Sequence, residues 1–285
     1  MDGPMTVSLV ALRCRTSERS PAPARGVDTL AALVGGRLGR EPRMIGTPGE
    51  PHTAPFDEDL EASRGCLLEA GGQVDDALSG ANLPVLLAAE CSIALTTLPI
   101  VLAHRPDACV LWLDAHGDFN TPETTGSRYL GGMALAGACG LWDPGLGGAP
   151  VPADRVVLAG VRDLDSAERE ALESSDVTVI GASPVETLVA VKNALDGVPV
   201  YVHLDLDVLD PEDFPAQFPA PGGLGPEKLY DLLEAVTDSS ELIGFEVTAF
   251  AASENELQRA VEASTALHVL EPLLDAVPEE VNVGD

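Results

Sequence analysis

Two short acidic runs hold the residue types that metal chemistry needs, and each ends an apolar stretch. The first, residues 114–120, reads DAHGDFN and follows ACVLWL. Side chains of an extended strand alternate between faces, so Asp114, His116 and Asp118 are expected to point the same way. The second, residues 198–208 (VPVYVHLDLDV), repeats the device with His203, Asp205 and Asp207. Burying so many carboxylates costs several kcal/mol each unless cations or hydrogen bonds compensate. Imidazole and carboxylate suit Mn²⁺ and related divalent ions, and carboxylates from two strands can bridge two of them. Two cations roughly 3.5–4 Å apart generate hydroxide near neutral pH and stabilise the charge formed when it attacks an electrophilic carbon. Asp114 and Asp205 are placed to bridge such a pair. Asp residues that merely cap turns after strands are the alternative reading of the same pattern.

Positioning these residues requires strands, and the chain supplies them. Apolar β-rich runs occur at residues 7–12, 84–89, 108–115, 155–161, 177–182, 198–208 and 241–250, with a weaker one at 42–46. Helix-compatible segments lie between most of them, at 57–78, 92–104, 184–195 and 226–236, and a closing helix is expected over about 254–274. Strands apolar on both faces and alternating with helices imply an α/β fold, a mostly parallel sheet covered on both sides in three αβα layers. The Pro- and Gly-rich stretches 47–55, 143–154 and 211–225 are short enough to be loops, so residues 1–285 are read as one domain. Ligands bind such sheets at the carboxyl ends of the strands, where both acidic runs fall.

Composition narrows the partners. With 46 acidic against 16 basic side chains the formal charge is −30, which opposes nucleic acid and anionic membranes and would welcome a cationic small molecule. No apolar run is long enough to cross a bilayer, and the opening MDGPMTVSLVALRC lacks the pattern of a signal peptide. Cys14, Cys66, Cys91, Cys109 and Cys139 are odd in number, widely spaced and without CxxC. Neither a disulfide framework nor a zinc ribbon is expected, and a reducing cytoplasm fits.

From about residue 83 to 250 the chain resembles the ureohydrolases, the family of arginase and agmatinase. DAHGDFN matches that family's DAHxDxN, and HLDLDVLDP its SxDxDxxDP. The resemblance implies an eight-stranded parallel sheet and two Mn²⁺ per chain held by Asp114, His116, Asp118, Asp205 and Asp207. Asp118 would also be the acid/base serving the leaving amine. Where the family reads GGDHS this chain reads AAECS, which puts Cys91 in the place of the remaining histidine ligand, a softer donor. In NTPETTGSRYLGGM, Gly131 replaces the histidine proposed as proton shuttle in arginases.

The same likeness implies an amino-acid substrate. Asn120 and Ser127 resemble the contacts to an α-carboxylate. Asp163, Asp165 and Glu168 fit RDxDxxE, with Asp165 the candidate for the ammonium, and Glu246 resembles the glutamate beside the guanidinium. In a dry pocket such pairings strengthen. His203, where the family prefers Ser, is expected to support the ligands from behind. CS for HS, YLGGM and the following ACGLWD together resemble the branch that cleaves N-omega-hydroxy-L-arginine to L-ornithine and hydroxyurea. An N-hydroxyl lowers the basicity of the guanidine, so attack needs less help from a protonated shuttle. An arginase or other guanidino-acid hydrolase releasing urea, and a non-catalytic guanidino-binding relative, are the alternatives. Assembly into a homo-oligomer stays open.

Overall fold

In the computed structural model, which describes residues 6–183 and 186–278, the apolar runs join one sheet. Its strands are β1 (Val7–Leu12), β2 (Arg43–Ile45), β3 (Leu83–Leu87), β4 (Cys109–Leu113), β5 (Val156–Val161), β6 (Thr178–Gly181), β7 (Val200–Asp205) and β8 (Leu242–Thr248). They run parallel in the order β2-β1-β3-β8-β7-β4-β5-β6. β3, β4, β5 and β7 are buried along their whole length, in keeping with their predominantly apolar sequences. The edge strands β2 and β6 are short and largely exposed, which blunts pairing with other chains.

Helices cover both faces. α1 (Ala22–Leu38), α6 (Glu186–Leu195), α7 (Pro226–Ser239) and α8 (Glu256–Asp275) pack on the face that carries Leu111, Val202 and Phe245. α2 (Phe56–Ser79), α3 (Ala94–His104), α4 (Ala134–Ala138) and α5 (Ser166–Glu173) pack on the opposite face, with Val110, Trp112 and Tyr201. Local signals set several ends. Gly39 closes α1 in the left-handed conformation, Pro226 opens α7, and the Asn255 side chain accepts from Gln258 N to cap α8. The segment expected at 184–195 is helical from Glu186; Pro184 lies outside the described residues. No helix among the described residues is long and apolar enough to cross a membrane.

The chain builds one side of the sheet, crosses from β3 to β4, and returns to insert β7 and β8 between them. The tips of β3, β8, β7, β4 and β5 thus stand side by side where the strand order reverses, the place where α/β sheets bind ligands. Two strand ends differ from expectation. β4 stops at Leu113 and β7 at Asp205, so residues 114–118 and 206–208 are turns rather than extended strand. The cause is local: Asp114 Oδ1 accepts from His116 N at 2.7 Å and Asp205 Oδ1 from Asp207 N at 2.7 Å, closing turns that end the ladder. Gly160, at φ 92° in β5, lets these turns approach. A Cβ there would lie 2.4 Å from Val208 Cγ2 and 3.1 Å from the Asp114 carbonyl oxygen.

The cysteine pattern misled. Cys14, just after β1, is disulfide-bonded to Cys66 of α2, with Cα atoms 6.2 Å apart and 52 residues of separation. Spacing alone could not show that the fold brings them together. Because the bond closes a long loop, Cys14→Ser is expected to lower unfolding free energy by about 2–4 kcal/mol. Urea denaturation of both proteins checks this, and reductant should bring the wild type to the stability of the variant.

Candidate active site

The turns after β4 and β7 bind each other. Asp207 Oδ1 accepts from Ala115 N at 3.2 Å, and His116 Nδ1 lies 3.1 Å from Asp207 Oδ2 and 3.4 Å from Asp114 Oδ1. Trp112 Nε1 donates to Asp114 Oδ2 at 2.9 Å. Gly117 brings the first turn against α5, since a Cβ there would meet Glu168 Cδ at 2.8 Å. Asp118 then adopts φ 47°, a left-handed conformation rare outside glycine that aims its carboxylate back toward Asp114. After β3, Cys91 Sγ donates to Asp205 Oδ2 at 2.9 Å and lies 3.2 Å from Thr248 Oγ1 at the end of β8.

Two overlapping donor groups result. One ligand atom each from Cys91, Asp114 and Asp118 lie within 4.8 Å of one another, as do those from Asp114, His116 and Asp207. Asp114 belongs to both; Asp205, expected to be the second bridge, belongs to neither and adjoins them through Cys91. Burial pushes Asp118 and Asp205 well above the ordinary carboxylate range, reinforced by the charges of Asp114 and Asp207 respectively. Burial also opposes charge on His116, yet its contacts with Asp114 and Asp207 outweigh this and push it up to about 12. Burial and Asp205 hold the Cys91 thiol well above its usual value, so it keeps its proton and donates. Four buried carboxylates, a thiol and one imidazole form a donor set whose surplus negative charge fits divalent cations.

Above this floor lies a cavity of ≈ 450 Å³. It is lined by the metal-capable residues Cys91, His116, Asp118, Asp205 and Asp207 and by the expected substrate contacts Asn120, Ser127, Asp163, Asp165 and Glu168. Asn120 Nδ2 donates to Asp165 Oδ2 at 3.2 Å, while Glu168 Oε1 accepts from Phe119 N at 2.9 Å and burial raises its pKa to about 7. Gly131 also faces the cavity, and a Cβ there would lie 2.6 Å from Tyr129 Cε1.

Glu246 is the exception. Strand pairing sets it opposite His203, two residues below the Asp205–Thr248 pair, and it is fully buried beneath the cavity. It accepts from Tyr201 Oη at 3.0 Å and lies 2.6 Å from His203 Nδ1. His203 does not enter the cavity either. Its ring stacks on Trp112, with centroids 3.6 Å apart, and so backs the indole that holds Asp114.

Several residues of the site carry little or no local sequence pattern that singles them out. Glu90, next to Cys91, lines the cavity with Tyr129 and Gln217, both of which donate to its carboxylate. Burial, then the nearby Glu18, pushes Glu90 up to about 8. Arg162 donates to the carbonyls of Gly160, Asp207, Val208, Leu209 and Ala220, tying β5 to the turn after β7. Its place just before the D-L-D run was the available signal. Arg19, from the loop between β1 and α1, reaches the cavity from too far along the chain to leave one.

Residues 52–271 match the model of the Arginase family. The chain is 36% identical over 270 residues to the N(omega)-hydroxy-L-arginine amidinohydrolase of Streptomyces lavendulae, spanning 95% of this chain and 98% of that protein. It is 32% identical over 210 residues to the arginase of Bacillus caldovelox, spanning 68% and 70% of the two chains. Its fold matches the crystal structure of the arginase from Bacillus cereus with a TM-score of 0.82 at 25% identity, over 95% of this chain and 98% of that one. With the same parallel eight-stranded sheet and this extent of shared sequence, the chain belongs to the Arginase family and is a ureohydrolase, a hydrolase of amidine carbon–nitrogen bonds.

Proposed function

We propose that this ureohydrolase cleaves the guanidino group of an arginine-like amino acid, N-omega-hydroxy-L-arginine in preference to L-arginine, giving L-ornithine and hydroxyurea. The observation that carries the reading is the pair of donor groups sharing Asp114 at the floor of a cavity that also presents Asn120, Asp163 and Asp165. In this reading Cys91, Asp114, His116, Asp118, Asp205 and Asp207 hold two Mn²⁺. Bound there, the cations would supply a water of lowered pKa and offset charge on the carbon under attack.

The remaining steps belong to side chains. The Asp118 carboxylate, whose affinity for a proton is raised by burial, accepts the proton of the attacking water. As the new C–O bond forms and the bond from the guanidino carbon to the alkyl nitrogen breaks, Asp118 returns that proton to the departing amine. Asp165, held by Asn120, and Asp163 take the α-ammonium, and Ser127 faces the carboxylate. With Glu246 sealed below the floor, Glu90 is the acid for the guanidino end, and a guanidinium beside it would restore its charge. Tyr129 fills the space that a side chain at position 131 would need and is committed to Glu90. No proton shuttle fits at that position, which favours a substrate whose guanidine is already less basic. The 36% identity to a hydroxyarginine amidinohydrolase over nearly the whole chain supports the same choice.

A substrate panel on manganese-loaded protein tests the reading: kcat/KM for N-omega-hydroxy-L-arginine should exceed that for L-arginine by about tenfold or more. Hydroxyurea and ornithine are the products to look for, and a clear preference for arginine with release of urea would make the enzyme an arginase instead. Asp118→Asn should lower kcat by about 10²- to 10⁴-fold with an unchanged circular dichroism spectrum. Mn²⁺ at about 100 times its dissociation constant should stabilise the fold by about 2.7 kcal/mol, seen calorimetrically as a Tm rise of about 5 °C or more. Asp114→Ala, which removes the donor common to both groups, should abolish that rise.

A further inference from the structure

The cavity is strongly acidic: seven carboxylates line it, against a single Arg and no Lys. That Arg19 is held in an unusual way. Its guanidinium carbon sits 4.8 Å from the Tyr129 ring centroid and 6.0 Å from that of Phe218, and the two rings pack 4.9 Å apart. One hydrogen bond, from Nη2 to the Ser127 carbonyl at 3.2 Å, fixes its orientation. Its Nε is buried with no acceptor, and among the described residues no carboxylate forms an ion pair with it. A guanidinium that remains unpaired in so acidic a cavity is available for an anion brought in from outside. Aromatic stacking keeps its plane fixed, the arrangement suited to two parallel hydrogen bonds to a carboxylate.

We propose that Arg19 receives the α-carboxylate of the substrate and thereby makes the enzyme select guanidino amino acids over guanidino amines. The inference rests on the function proposed above. It adds a cation to the carboxylate end, where Ser127 is its neighbour, and leaves Asp163 and Asp165 for the ammonium. If Arg19 served only to brace the Ser127 loop, its loss would affect every substrate alike.

The test compares wild type, Arg19→Ala and Arg19→Lys on N-omega-hydroxy-L-arginine and on the same molecule without its α-carboxylate, N-hydroxyagmatine. For Arg19→Ala, KM for the amino acid should rise about 10- to 100-fold with kcat nearly unchanged, the range expected for a lost charged hydrogen bond. The ratio of kcat/KM between amino acid and amine should fall by the same factor, and Arg19→Lys should recover part of it. Calorimetric binding of L-ornithine should weaken in parallel, and that of putrescine should not. Equal losses on both substrates, or an unchanged KM for the amino acid, would overturn the assignment. A wild type inert toward both substrates would defeat the proposed function, and L-ornithine binding to wild type and variants would then decide on Arg19 alone.

Discussion

Asp114, Asp118, Asp205 and Asp207 come together from two adjacent strand tips in an interior that disfavours charge. Their mutual repulsion is the constraint around which the rest of the molecule is arranged. Three backbone N–H groups bond to them: His116 N to Asp114, Ala115 N to Asp207 and Asp207 N to Asp205. His116 Nδ1 lies between the carboxylates of Asp114 and Asp207, and the Cys91 thiol donates a hydrogen bond to Asp205. These contacts are too few to neutralise the cluster, which is the physical argument for cations there.

Holding such a cluster rigid requires support from below and from the side. Beneath it, Glu246, His203, Trp112 and Asp114 form a chain of buried contacts that crosses β8, β7 and β4. At the side, Arg162 collects five carbonyls and fixes the turn bearing Asp207 to the end of β5. Five inner strands supply the tips, and helices pack on both faces of the sheet that carries them. Gly117 and Gly160 permit approaches that any side chain would block.

The departures from the family pattern form a connected set. Cys91 sits beside Glu90; Glu90 is held by Tyr129; and Tyr129 occupies the room that a side chain at 131 would take. Tyr129 also carries the Arg19 guanidinium on its face. One aromatic residue therefore links Glu90 to Arg19, both of which line the cavity. The surrounding acids and the overall charge of −30 both favour a cationic small molecule over an anionic one.

Much of this was legible in the residues alone. Continuous apolar runs marked the buried strands of a parallel sheet, and DAHGDFN with HLDLDV marked the metal-capable acids, because local spacing and hydrophobicity are properties of the chain itself. Spacing also suggested extended strand through Asp118 and Asp207, but the carboxylates captured their own backbone N–H groups and turned the chain. Glu246 shows a second limit. Its face could be read from alternation, but only pairing with β7 decided that it lies opposite His203 rather than at the tip beside Asp205. Arg19, Gln217 and Phe218, like the Cys14–Cys66 bond, depend on loops and elements distant in sequence meeting in space. Local composition and spacing suffice to specify the strands and the acids they carry; register and long-range packing, which no local pattern encodes, select which of those residues share the cavity.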